Sequence, residues 1–234
     1  MPADDFVFPP APQDSLAVQG TDARFPMRRI FCVGRNYEAH AREMGKDPTR
    51  EAPFFFTKPA DAALDTPCTI PYPPQTEDLH HEIELVIAIG KGGRNIAEAD
   101  VMDHVWGASV GIDLTRRDLQ AEAKKAGRPW DWGKAFDNSA PIAALKPIAD
   151  VPSVEQGRIW LAVNGEVRQD ADLADLIWSV REHVAILSQS MALAPGDIIM
   201  TGTPAGVAAL VEGDVVTGGV DGIATLEVTI GPRA

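Results

Sequence analysis

Two apolar runs stand out along the chain, and their period is that of strands. Residues 79–90 carry Ile83, Leu85, Val86, Ile87, Ala88 and Ile89 behind a polar start, and residues 105–113 carry Val105, Val110 and Ile112 before closing on Asp113. The tail of the first run is β-branched and apolar. Side chains alternate faces along a strand, so Glu82 and Glu84 share one face while Ile83 and Leu85 share the other. Around these runs the pattern predicts a strand at 28–34 ending in Gly34, a short helix at 36–44 stopped by Gly45, and a polar loop at 46–53. A strand at 54–58 follows, then a proline-rich, irregular 59–75. Residues 114–127 read as a helix stopped by Gly127-Arg128-Pro129. Asn164-Gly165 predicts a hairpin over 159–169 with a type I′ turn. Leu176, Ile177, Val180, Val184 and Leu187 at helical spacing predict an amphipathic helix over 173–191. Short strands at 197–200, 214–217 and 223–230 alternate with Gly turns.

Numerous short strands with few helices indicate an α+β domain built on curved or folded-over sheets. Residues 1–27, rich in Pro, Asp and Ala with Phe6, Val7 and Phe8 embedded, read as an extended arm that docks by a few apolar contacts. Residues 28–234 read as a single catalytic domain, and 234 residues suffice for one substantial core. The formal net charge of −13 argues against nucleic acid and anionic membrane as partners. It also means that an anionic substrate must be captured by a local positive site. Cys32 and Cys68 are too few for a disulfide framework, have no metal-ligand spacing and read as buried free thiols. No apolar stretch approaches the ~20 residues of a membrane span, and the start lacks the pattern of a signal peptide. A cytoplasmic enzyme is the expectation.

The chemistry concentrates on the strand face already described. Glu82, Glu84 and Asp113, gathered in a mostly apolar setting, would repel one another and resist desolvation unless a cation neutralised them. Oxygen-only donors select a hard ion, Mg²⁺ or Mn²⁺. A solvated outer face would give the same Glu alternation, and an Asp after a strand also serves as a helix cap. His80 and His81 stay outside this donor set, because His81 is out of phase with both Glu side chains. His40 and Glu43 are three apart on the short helix, where a carboxylate can orient a His as general base. Arg117, Gln120 and Lys134 can donate to carboxylate or oxyanion groups of a ligand. Thr201-Gly202-Thr203-Pro204, after a strand, lacks the lysine and Gly spacing of a phosphate loop and suits a backbone-and-hydroxyl cradle for a carboxylate, with Gly202 and Thr203 as its donors.

Taken in order, Val33-Gly34-Arg35-Asn36-Tyr37, His40 with Glu43, Lys58-Pro59, His80-His81-Glu82 with Glu84-Leu85, Gly111 with Asp113, Thr115, Arg117-Asp118, Lys134 with Phe136, and Thr201-Gly202-Thr203-Pro204 resemble the fumarylacetoacetate hydrolase superfamily from about Arg28 to the C-terminus. The resemblance implies a mixed β-sandwich roll with a few short helices, a homodimer, and Mg²⁺ or Mn²⁺ held by Glu82, Glu84 and Asp113. It implies a small-molecule 2-oxo or 2,4-dioxo acid substrate. Within the superfamily the likeness is greatest to the branch that cleaves fumarylpyruvate in gentisate breakdown. Phe8-Pro9-Pro10, the run from Gly20 to Pro26, and the run from Lys134 to Asp137 carry it. The roles so implied are His40, oriented by Glu43, as the base that activates water, Lys134 and Gln120 at the oxyanion, and Arg35, Arg117 and Thr203 on substrate carboxylates. Acylpyruvate hydrolysis or oxaloacetate decarboxylation would use nearly the same residues, and a non-catalytic metal-binding protein would keep the acids alone.

Overall fold

The computed structural model describes residues 6–43 and 51–234, with the side chains of residues 41–43 outside that description. The first third holds strands β1 (Ser15–Val18), β2 (Thr21–Pro26), β3 (Arg29–Gly34), β4 (Phe54–Lys58), β5 (Ala63–Asp65) and β6 (Cys68–Tyr72), with helix α1 (Glu38–Glu43) after β3. The middle holds β7 (Leu79–His80), β8 (Ile83–Ile89), β9 (Val105–Ile112), β10 (Thr115–Arg116), β11 (Ala140–Ile142) and β12 (Lys146–Pro147), with α2 (Arg117–Ala126) and α3 (Asp131–Lys134) after β10. Strands β13 (Arg158–Val163), β14 (Glu166–Asp172), β15 (Asp197–Met200), β16 (Ala209–Leu210), β17 (Val215–Val220) and β18 (Ala224–Arg233) complete the chain, with α4 (Val180–Ser190) after β14.

The strands form a large mixed sheet of order β4-β3-β15-β8-β9-β11-β5 and a five-stranded sheet of order β14-β13-β17-β18-β6. They fold over one another as the β-sandwich roll expected. Ile83, Leu85, Ile87 and Ile89 of β8 turn toward the main core, where they join Val110 and Ile112 of β9, Ile159 and Leu161 of β13 and Val216 of β17. Val86 and Ala88 face the other way, into a second core with Leu16, Phe25, Ile30, Ile142, Ile198 and Met200. Within the stretch expected as an extended arm, β1 and β2 thus pair as a hairpin that covers this second core. Phe6, Val7 and Phe8 are exposed.

Other segments also differ from the sequence-based expectation. The helix predicted over 173–191 begins only at Val180, because Ser179 accepts from the Glu182 amide and the Glu182 carboxylate accepts from Ser179 in return, a capping box that sets the first turn. A short 3-10 turn over Leu173–Asp175 and a non-helical stretch with Leu176 and Ile177 precede it, and the Ile177 amide bonds the Asn36 carbonyl at 2.8 Å. The proline-rich 59–75 is not irregular throughout. It contributes β5 and β6, both at sheet edges, where Pro71 removes no needed donor. The helix predicted over 114–127 starts at Arg117, and Gly127 (φ 63°) ends it in the left-handed conformation. The predicted turn holds, with Asn164 and Gly165 both at positive φ. The Gly45 helix stop lies outside the described residues. Cys32 is buried, Cys68 is partly exposed on β6, and both are free thiols. No helix among the described residues is long and apolar enough to cross a membrane.

Candidate active site

Antiparallel pairing of β8 with β9 builds the acidic cluster. Ile83 lies opposite Ile112 and Glu84 opposite Gly111. One step further, the Asp113 amide donates to the Glu82 carbonyl at 2.8 Å. Glu82, Glu84 and Asp113 therefore project from one side of two neighbouring strands. Their nearest carboxylate oxygens lie within 4.8 Å of one another, and all three residues are buried. The run 79–90 is not one continuous strand. It breaks between β7 and β8, where the Gln169 side-chain Oε1 accepts from the Ile83 amide at 3.1 Å and lies 2.9 Å from His81 Nδ1. His81 is thus held by Gln169, and His80 pairs with Asp78 at 2.9 Å.

Cations from three other elements converge on the acids. Lys134 Nζ donates to Glu82 Oε2 at 2.9 Å, to Asp113 Oδ2 at 2.6 Å and to Thr115 Oγ1 at 2.6 Å. Lys58 Nζ, at the end of β4, stands 2.9 Å from Asp113 Oδ1 and also donates to the Lys134 carbonyl. Arg117, in the first turn of α2, grips Glu82 Oε1 and donates to Gln120 Oε1 at 2.7 Å. Glu84 has no such cation at hydrogen-bond distance among the described residues; the Gly202 amide donates to it at 2.8 Å. The electrostatics follow this asymmetry. Burial would raise the Glu82 carboxyl, but Lys134 and Arg117 outweigh it and hold the group well below the usual carboxylate range. Burial, then the charges of Asp113 and Glu82, push the Glu84 carboxyl well above that range. An all-oxygen cluster with one uncompensated buried carboxylate fits a hard divalent ion.

Above the acids opens a small recess, lined also by Val33, Gly34, Arg35, His40, Phe54, Phe56, Gln120, Lys124, Trp130 and Thr203. Period two along β4 puts Phe54, Phe56 and Lys58 on this side. A Cβ at Gly34 would fall 2.1 Å from the Phe54 ring, so only glycine lets that ring lie where it does. His40 is buried on α1 and lines the recess with Glu82; the Glu43 side chain lies outside the described residues. The base of α1 is stapled by Asn36, whose Nδ2 donates to the carbonyls of Thr201 and Trp178, each at 2.9 Å. Gly202 (φ 98°) passes so close that a Cβ would meet Asn36 Cβ at 2.6 Å. Thr203 is anchored through its hydroxyl by Gln169 Nε2 at 2.8 Å.

The structure therefore brings together His40, Lys134, Gln120, Arg35, Arg117, Gly202 and Thr203 with the three acids. Sequence reasoning gave Lys58 no role beyond its place in the family resemblance, and overlooked Gln169, Lys124 and the aromatic wall of Phe54, Phe56 and Trp130. The strand period would have found Lys58, and helical spacing from Arg117 and Gln120 would have found Lys124. Gln169 carried no local signal, because it acts from a strand of the other sheet.

Comparison with known proteins adds three findings. The model of the fumarylacetoacetate (FAA) hydrolase C-terminal family matches residues 29–231. A fumarylpyruvate hydrolase of Ralstonia sp. is 45% identical over 80% of this chain and 96% of its own length, and a mitochondrial oxaloacetate tautomerase of Bos taurus is 40% identical over 86% and 90%. The crystal structure of fumarylpyruvate hydrolase from Pseudomonas aeruginosa, in complex with Mn²⁺ and pyruvate, is 50% identical, with a TM-score of 0.95 over 98% of this chain and 100% of that one.

Proposed function

The chain belongs to the fumarylacetoacetate hydrolase family, and on that footing we propose that it hydrolyses the carbon–carbon bond of a 2,4-dioxo acid, 3-fumarylpyruvate, to fumarate and pyruvate. The observation that carries the reading is the convergence of three buried acids within 4.8 Å, at the floor of a recess that also presents His40, Arg35 and Lys124. Glu82, Glu84 and Asp113 are the residues that hold Mg²⁺ or Mn²⁺. Bound there, such an ion supplies Lewis acidity and a template for the oxo and carboxylate oxygens of the pyruvyl end.

His40, oriented by Glu43, takes a proton from water, and the water oxygen bonds to the carbonyl carbon next to the fumaryl group. The Gln120 amide can donate to the resulting oxyanion, because Arg117 already occupies the Gln120 carbonyl oxygen. Lys134 borders the recess and adds positive charge on the same side. Collapse of the oxyanion breaks the bond to the pyruvyl methylene; fumarate forms, and the pyruvate enolate takes up one proton at carbon. Arg35, Arg117, Gly202 and Thr203 hold substrate carboxylates, a local requirement in a chain of net charge −13. The same reading includes a homodimer, for which exposed Phe6, Val7 and Phe8 offer apolar surface, and a place in the cytoplasm in the breakdown of aromatic acids.

The likeness to an oxaloacetate tautomerase favours a second reading, in which the substrate is oxaloacetate and no water attacks. Turnover of fumarylpyruvate, acetylpyruvate and oxaloacetate, followed by ultraviolet absorbance with and without EDTA, separates the two. Metal-dependent loss of fumarylpyruvate absorbance in preference to the others is the expected result. Preference for oxaloacetate would move the protein to the second reading.

A further inference from the structure

Resting on that hydrolase reading, we propose that Lys124, at the mouth of the recess, binds the distal carboxylate of the substrate and so selects dioxo acids that end in a second carboxylate over those that end in an alkyl group. Lys124 lies seven residues after Arg117 and four after Gln120 on α2. Residues so spaced share one helix face, and all three line the recess. The face is graded. Arg117 holds Glu82 at the acidic floor, Gln120 accepts from Arg117 beside it, and Lys124 stands exposed at the rim. A linear dioxo acid whose pyruvyl end lies at the floor must point its other end toward that rim.

The rim is built for an anion. Lys124 Nζ lies 4.9 Å from the centre of the Trp130 ring, Trp130 meets Phe54 edge-on at 5.4 Å, and the Arg35 guanidinium lies 5.3 Å from the Phe54 ring. Two cations thus rest on adjoining aromatic faces. Among the described residues no carboxylate forms an ion pair with either of them. Arg117, Arg35 and Lys134 surround Lys124 with like charge. A substrate carboxylate would relieve that like-charge crowding. Phe54, Phe56 and Trp130 also offer flat apolar walls for the trans double bond that joins the two ends of fumarylpyruvate.

The test uses the metal-loaded full chain, wild type and Lys124→Met, with 3-fumarylpyruvate and acetylpyruvate. Methionine keeps a long apolar stem against Trp130 and deletes the charge. Steady-state turnover yields KM and kcat. Calorimetric binding in a His40→Ala background, with and without Lys124→Met, reports affinity without relying on cleavage. For fumarylpyruvate, Lys124→Met raises KM and Kd roughly tenfold or more, the loss of one charge-assisted hydrogen bond. For acetylpyruvate both stay close to wild type, kcat is little changed, and Lys124→Arg restores fumarylpyruvate affinity. Equal weakening toward both acids would make Lys124 a prop for the Trp130 wall and overturn the proposal, as would no change with either. A wild type that binds both acids but cleaves neither would refute the hydrolase reading, while the two binding constants still decide the role of Lys124. Failure to bind either acid would overturn both.

Discussion

One face of β8 changes character halfway along its length. Val86 and Ala88 lie beneath the β1–β2 hairpin among Leu16, Phe25 and Met200. Glu82 and Glu84, on the same face, are also buried but lie with Asp113 in an acidic cluster, where Lys134 and Arg117 pair with Glu82. At the apolar end, removal of hydrocarbon from water, about 25 cal/mol per Å², is enough to hold the elements together. At the acidic end the same burial opposes folding, and cations carried by β4, α2 and α3 offset it. Degree of burial is therefore no guide to which end is core and which is site. The distinguishing property is whether the chain itself satisfies what it buries, and at Glu84 the one partner among the described residues is a backbone amide.

Glu84→Leu breaks the contrast outright by making the acidic end resemble the apolar one. Metal-dependent turnover is abolished and calorimetric Mn²⁺ binding is lost, while the Tm of the metal-free protein holds level or rises, because a buried carboxylate without a countercharge has gone. A sharp drop in Tm would instead make Glu84 a structural member.

His40→Ala separates chemistry from metal binding within the acidic end. It lowers kcat by roughly 10²- to 10⁴-fold with metal affinity unchanged; loss of the metal would contradict the assigned role. At the apolar end, Leu16→Ala empties part of the second core and costs roughly 2–5 kcal/mol in urea unfolding. The kcat/KM of the folded enzyme stays at the wild-type value, and a parallel loss of activity would mean that the two ends are mechanically coupled.

His183 of α4 adds a third solution to buried polarity, in that it stays neutral. It is fully buried, and burial lowers its pKa from 6.5 to about 4. Above pH 6.5 neither state binds the proton, so this contribution to stability is fully present. Between about 6.5 and 4 the unfolded chain takes up a proton that the folded chain refuses, and stability falls by on the order of 3 kcal/mol. Denaturant melts of wild type and His183→Gln across that range measure it; identical slopes would place the acid sensitivity elsewhere.

Much of this was legible because it depends on short-range rules. Asn164-Gly165 specifies its turn through the positive φ that both residues tolerate, and alternation alone puts Glu82 and Glu84 on one face. The missing parts depend on partners distant in sequence. Strand β5 exists because it pairs in parallel with β11, and β6 because it pairs with β18. A proline count over 59–75 registers neither partner. The spacing of Leu176 and Ile177 suits a helix, yet Asn36 holds that segment out of the helix through the Ile177 and Trp178 amides. In the site, Gln169 illustrates the same limit, since its role is set by His81, Ile83 and Thr203, none within 30 residues of it.

The register of β8 against β9 also limits how the gene can vary. Glu82 faces Asp113 across a direct backbone bond, with Ile83 paired to Ile112 immediately behind. Deleting one codon within 105–112 would swing Asp113 to the opposite side of the sheet, in among isoleucines, and would silence the site in a single step. Codons added in the connection 90–104 leave that alignment untouched, although Ile96 and Val101 there belong to the main core. Lineages of this chain can therefore change length between the two strands wherever those core contacts are kept, whereas the strands themselves behave as a fixed ruler whose graduations are single residues.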